Sequence, residues 1–334
     1  MGRLFIVGNG FDCYSHFDNH QVGMKTRYVD FKNYLLKRYP KMIDPIPYPY
    51  RIEPGYEYNE NTMVSYIVQT LNECQDNAWS TLENAMGESL VTIFMDDIQE
   101  NSYLLSFKNG VHSQEEFMAY YAQLQFLVER GLALEDTAKI IKKLFYDWVT
   151  DCLQKIDYSE YNKHVGFEKV FDINHSPDDK YLTFNYTLTL EKLYHIPENQ
   201  VFHIHGKVGQ ACEKIHFGHG NDVDDMREMD IISGLESSVS RVLRTLEKNT
   251  DGIIYENKQF FQELQDITEI YSYGFSFGDV DMVYVDEICK YVNPQEVIWY
   301  FNTYDTVNNP EYLQKIRERG FTVKTESRWN LTNK

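Results

Sequence analysis

Leu4-Phe5-Ile6-Val7-Gly8-Asn9-Gly10-Phe11-Asp12 decides the architecture. Four consecutive apolar residues are the mark of a strand buried on both faces, and two glycines around a single residue let the backbone bend sharply behind it. A strand that opens a chain and breaks at a glycine turn is how nucleotide-binding α/β domains often begin.

Beyond residue 170 the same grammar returns. Short apolar runs at Tyr181–Phe184, Val201–Ile204, Lys214–Phe217, Glu269–Tyr273, Glu296–Phe301 and Phe321–Lys324 alternate with helical segments at Leu188–Tyr194, Asp224–Leu246, Val280–Tyr291 and Pro310–Arg319. Strands alternating with helices predict an α/β fold with a doubly wound, mainly parallel, Rossmann-like sheet. Residues 24–169 break that rhythm. Apolar side chains recur there at helical spacing, as in Met63-Val64, Ile67-Val68, Leu71 and in Ile140-Ile141, Leu144-Phe145, Trp148. Four prolines between Asp44 and Pro54 forbid a helix and predict an extended loop. The expected organisation is therefore a core formed by 1–23 and 170–334, with 24–169 as a large helical insertion or cap after the first strand.

Composition narrows the function. With 32 Lys+Arg against 51 Asp+Glu the chain carries a net charge of −19. Clamping a phosphate backbone takes clustered cations, so nucleic acid is disfavoured and small polar ligands fit better. The dispersed Cys13, Cys74, Cys152, Cys212 and Cys289 form no C-x-x-C pair, which suits a reducing compartment. No apolar run approaches the roughly 18–20 residues of a membrane span. A cytoplasmic location without membrane attachment is the expectation.

Ligands of an open parallel sheet lie beyond the carboxyl ends of its strands. The polar and glycine residues at those places are Gly8-Asn9-Gly10-Phe11-Asp12, Asn185-Tyr186-Thr187, His205-Gly206, Gly218-His219-Gly220 and the run from Gly274 through Ser276 to Asp279 and Asp281. Each has a plain structural alternative. The glycine turn can be a tight bend with Asp12 as a helix cap, and Asn185 can satisfy loop backbone groups. Asp279 can cap the next helix. His203, His205, His216 and His219 offer imidazoles in a short stretch, so a metal-dependent hydrolase or nuclease is one alternative. Another division has His203 packing in the sheet while His205 faces a ligand as acid or base.

Taken together, GNGFD, FNYT, HIHG, FGHG and YGFSFGDVD resemble the bacteriophage abortive-infection H (AbiH) family, in the expected order and over the whole chain. That family is distantly similar to the sirtuin-type NAD-binding fold. The resemblance places Gly8 and Gly10 on the glycine turn, Thr183 and Asn185 on a T-x-N segment, His205 and Gly206 on an H-G pair, and Gly274 and Ser276 on a G-x-S segment. Asn9 stands where sirtuins carry a small Ala, Thr187 replaces an Asp, and the zinc-binding cysteines of protein deacylases are missing. The resemblance thus implies an anti-phage defence protein that binds an NAD-like dinucleotide and hydrolyses its nicotinamide–ribose bond. In this reading His205 and Asn185 are catalytic. Gly8, Asn9, Gly10, Phe11, Asp12, Thr183, Thr187, Gly206, Gly274, Ser276, Asp279 and Asp281 hold the ligand. NAD is substrate or ligand rather than an obligatory cofactor, and no metal is assigned. A non-catalytic nucleotide sensor is the other alternative. A phage-derived trigger and a homo-oligomer are the partners implied beside the nucleotide.

Overall fold

The computed structural model describes residues 2–14, 26–40, 59–73, 90–101, 113–161, 176–220 and 234–326. In chain order the regular elements are β1 (Gly2–Val7), α1 (Asn9–Tyr14), α2 (Tyr28–Arg38), α3 (Glu60–Glu73), α4 (Leu90–Asn101) and α5 (Gln114–Trp148). There follow β2 (Lys180–Thr183), α6 (Thr189–Lys192), β3 (Val201–His203), α7 (Glu236–Leu246), α8 (Thr250–Glu256) and α9 (Lys258–Gln262). The last are β4 (Ile267–Tyr273), α10 (Asp279–Cys289), β5 (Ile298–Asn302), α11 (Thr303–Asn308), α12 (Pro310–Arg317) and β6 (Thr322–Glu326). The proline-rich stretch between 44 and 55 lies outside the described residues.

Two compact units share the chain. The first contains residues 1–27, 147–216 and 249–334; the second contains 28–146 and 217–248. Residues 217–248, and with them Gly218-His219-Gly220, therefore group with the helices rather than with the sheet.

In the first unit six strands form one sheet in the order β3-β2-β1-β4-β5-β6, and every neighbouring pair is parallel. This is the doubly wound order of nucleotide-binding domains, whose winding reverses between β1 and its later neighbour, here β4. Alternation along β1 divides its side chains between two cores. Leu4 and Ile6 join Ile270, Trp299, Phe301 and the buried faces of α8, α10 and α12. Phe5 and Val7 join Phe11, Tyr181, Leu190, Tyr194, Tyr271 and Tyr273. Strand register turns the second face into a row of rings. Tyr181 and Phe5 stack at 4.8 Å, Phe5 and Tyr271 at 5.2 Å, and Tyr271 and Tyr300 at 4.7 Å. Paired residues on adjacent strands produce this row directly.

The expected strand at Lys214–Phe217 does not form. A 3-10 turn, Cys212–Lys214, occupies its start. The His216 N–H then donates to the His205 carbonyl at 2.9 Å, so this backbone is spent on the loop behind β3 rather than on a ladder.

The regular elements in the described part of the second unit are helices. Phe31 meets Phe145 edge-on at 5.5 Å, and Phe145 stacks on Phe217 at 4.0 Å. Gly131 lets α5 approach α7, since a Cβ there would lie 2.6 Å from Ser238 Oγ. Glu135 clamps Arg241 with both carboxylate oxygens at 2.8 Å. Among the described residues no helix is long and apolar enough to cross a membrane.

Candidate functional site

Three groups of polar side chains sit at the carboxyl ends of the first unit's strands. At the switch point itself, the loops behind β1 and β4 pack backbone against backbone. The Gly8 N–H donates to the Tyr273 carbonyl and the Gly10 N–H to the Gly274 carbonyl, each at 3.0 Å. A Cβ on Gly10 would fall 2.6 Å from Gly274 Cα, and one on Gly274 2.3 Å from the Phe11 nitrogen. Gly274 also has φ +59°, a left-handed value that favours glycine. The glycines thus let two loops touch, and α1 begins immediately at Asn9. Phe11 is fully buried against Tyr194 and Tyr273, so its side chain is core.

Beside this contact a cleft of about 150 Å³ opens, lined by Gly10, Tyr273, Gly274, Phe275, Ser276, Tyr304, Asp305, Asn309 and Tyr312. Its far wall is the loop 274–278, which holds the exposed Ser276 and the buried Phe277. Phe277 has φ +50°, a strained value for a bulky residue. Lys315 secures that loop, donating to the Phe277 carbonyl at 2.8 Å and to Asp279 Oδ1 at 2.9 Å. Asp279 is otherwise exposed, and its side chain does not cap α10.

A second group forms over the other face. Asp12 is fully buried and accepts from the Thr187 hydroxyl at 2.6 Å, and Thr187 in turn pairs with Thr189 at 3.0 Å. Burial pushes the Asp12 carboxyl up to about 6, partly offset by the Thr187 and Thr189 hydroxyls, the nearby His203 and the Asn185 amide. Asn185 Nδ2 donates to the Gly8 carbonyl at 3.0 Å, tying the β2 tip to the β1 turn across 177 positions of sequence. The Asn185 N–H donates to Thr183 Oγ1, and its carbonyl meets His203 Nδ1 at 3.0 Å. His203 Nε2 lies 2.9 Å from Glu191. Asn185 thus satisfies a loop backbone group, as its plain alternative has it, while Asp12 bonds the Thr187 hydroxyl rather than a helix N–H.

The third group joins two motifs that lie 76 positions apart. His205 Nε2 is 3.5 Å from Asp281 Oδ1, and both side chains are mostly buried. Phe184 and Tyr284 flank the imidazole, with ring centres 5.3 and 5.6 Å away. Gly206 turns the chain behind it at φ +84°, where a Cβ would overlap the Lys214 carbonyl. His219 stays apart. It belongs to the second unit, where its Nε2 meets the Leu243 carbonyl at 3.0 Å and burial lowers its pKa. Among the described residues no three His, Cys, Asp or Glu side chains converge to hold a metal ion.

A family model described as bacteriophage abortive infection AbiH matches residues 4–303, from β1 to the tip of β5. The chain belongs to the AbiH family. It therefore stands among bacterial proteins of phage abortive infection. No curated protein matches it.

One group in this AbiH chain escaped the motif reading. Asn302 ends β5 and caps α11, accepting from the Asp305 N–H at 2.7 Å, while its Nδ2 donates back to the Asp305 carboxylate. Asp305 also receives the Gly274 N–H, and burial pushes its pKa up to about 6 against those two donors. The signal was available: Asn302-Thr303-Tyr304-Asp305 follows an apolar run, which is the rule that selected every other tip.

Proposed function

We propose that the protein binds an NAD-like dinucleotide over the carboxyl ends of β1, β4 and β5 and cleaves its nicotinamide–ribose bond as part of abortive infection. The observation that carries this reading is the cleft at the β1/β4 switch point, where open doubly wound sheets take their ligands. At about 150 Å³ it is smaller than the roughly 300–1,000 Å³ of ligand pockets, so it would take one end of the molecule. The remainder would run along the tips of β1, β2 and β3. Ser276 offers a hydroxyl in the cleft, and Gly10 and Gly274 line it without bulk.

Cleavage of a nicotinamide–ribose bond leaves positive charge on the sugar, which surrounding carboxylates stabilise. His205, oriented by Asp281, is the base for a ribose hydroxyl or water. Asn185 acts through the backbone, since its amide holds the Gly8 carbonyl in place. The sirtuin-type resemblance of the motifs and the acidic balance of the chain support the same assignment.

The test is nicotinamide release from NAD by the purified full chain, alongside NAD-induced thermal stabilisation. In His205→Ala, release is expected to fall by about 10²–10⁴-fold, the usual contribution of a positioned base, while NAD still raises Tm. Wild-type protein that neither releases nicotinamide nor gains stability from millimolar NAD would reject the reading. Stabilisation without turnover would instead favour the sensor alternative.

A further inference from the structure

We infer that the outward face of α5 is a docking surface for a helix of another protein that carries Lys or Arg beside an apolar seam. Met118, Tyr121, Gln125, Val128 and Leu132 follow one another at intervals of 3, 4, 3 and 4 residues. That is the a/d spacing of a coiled-coil seam. All five are exposed, and the four apolar ones keep between 50% and 64% of their surface open. Phe117 widens the strip and packs on Tyr121, with ring centres 4.6 Å apart. On the opposite face of the same helix Leu127, Leu134, Ala138 and Ile141 are buried, so the core already claims one side. Single apolar residues on a surface need no explanation, but a strip two heptads long, about 21 Å of helix, marks a place of contact.

The flanks of the seam decide its occupant. Glu115, Ala122, Glu129 and Asp136 stand at the e positions along one side. Asp136 is met by Lys139 at 2.7 Å, whereas Glu115 and Glu129 are exposed and face no cation among the described residues. Phe117, Leu124 and Gly131 hold the g positions on the other side, and none is charged. Paired helices set e against g when parallel and e against e when antiparallel. A second copy of this chain would thus offer the two glutamates uncharged side chains in one direction and its own acids in the other. At −19 per chain it would add repulsion as well. Lys or Arg along the flank of a different helix matches them, and e/g charges of this kind set partner choice. Gln125, polar at the central a position, fixes the register of that pairing at some cost in affinity.

The probe is a synthetic three-heptad peptide with Leu at a and d and Lys at e and g, whose lysines keep it from pairing with itself. Fluorescence anisotropy against the full chain is expected to give a micromolar Kd, as befits a small, transient interface. A version with Glu in place of Lys, and a scrambled peptide of the first composition, should each bind at least about tenfold more weakly. Tyr121→Ser/Val128→Ser is expected to weaken the Lys peptide by a similar factor with Tm nearly unchanged, because both side chains face water. Glu115→Lys/Glu129→Lys should turn the preference toward the Glu peptide. Equal binding of the ordered and scrambled Lys peptides, or undiminished binding by the serine variant, would reduce the attraction to overall charge and overturn the inference. No measurable binding of the Lys peptide to wild type would also reject it. So would a wild-type dimer, seen by light scattering, that Val128→Lys dissolves, since the face would then belong to a second copy.

Discussion

Gly274→Ala is expected to lower stability by about 3–5 kcal/mol, a large part of the roughly 5–15 kcal/mol that holds a domain of this kind folded. Two costs add. The added methyl would sit 2.3 Å from the Phe11 nitrogen and 2.5 Å from both Gly10 Cα and its carbonyl carbon. None of these is a flexible side-chain tip, so the β1 and β4 loops must separate, and overpacking of this kind costs about 1–3 kcal/mol or more. The position also has φ +59°, which charges an L side chain about 1–2 kcal/mol. Gly209→Ala is the control, because φ is +84° there and nothing lies within 4 Å. It should cost only the conformational part. Urea denaturation of both variants decides the matter, and a loss below about 1 kcal/mol for Gly274→Ala would show that the two loops are not packed as described.

That close contact also explains what a motif reading can and cannot extract. β1, β2, β4 and β5 were legible because a strand buried on both faces must be a continuous apolar run, and Leu4–Val7 is one. The glycine turn was legible as a special backbone, but its purpose was not. Gly10 and Gly274 are 264 positions apart, and only the fold reveals that each leaves room for the other. Asn185 shows the same limit, since an amide after a strand looks equally fit for a ribose or for the Gly8 carbonyl that it bonds. Lys214–Phe217 was misread as a strand because its apolar alternation is real, while the bond from His216 N–H to the His205 carbonyl that redirects it is not written locally. Asp305 was missed for a different reason. It stands three residues beyond β5, inside a helix, and the bond it receives from the Gly274 N–H of the β4 loop is not written locally.

Stability should fall as pH rises from about 4 to about 6, and two named carboxylates should account for much of the slope. Asp12 and Asp305 are each raised from 3.8 to about 6 by burial. A folded-state pKa above the unfolded value means that the native protein holds protons the unfolded chain releases, so each group favours folding below about pH 4 and loses that advantage by about pH 6. A shift of roughly two units corresponds to about 3 kcal/mol per group, an upper figure for buried carboxyls that retain hydrogen-bond donors. Opposing groups exist. Glu135 is held below the usual range by Arg241 and Ser238 against the cost of its own partial burial, and Glu263 by Lys180 and Gln259. These lose stabilisation as pH falls, but Arg241 and Glu263 are about half exposed, where water and salt weaken such pairs. The overall charge of −19 adds a general relief of repulsion on acidification, which substitution of two sites leaves nearly unchanged. Comparison of wild type with Asp12→Asn, Asp305→Asn and the double variant isolates the specific part. Urea midpoints at pH 5.0 and 7.5 are expected to converge progressively across that series, with the variants gaining most at pH 7.5. The same difference between the two pH values in wild type and the double variant would mean that neither buried carboxyl titrates near 6.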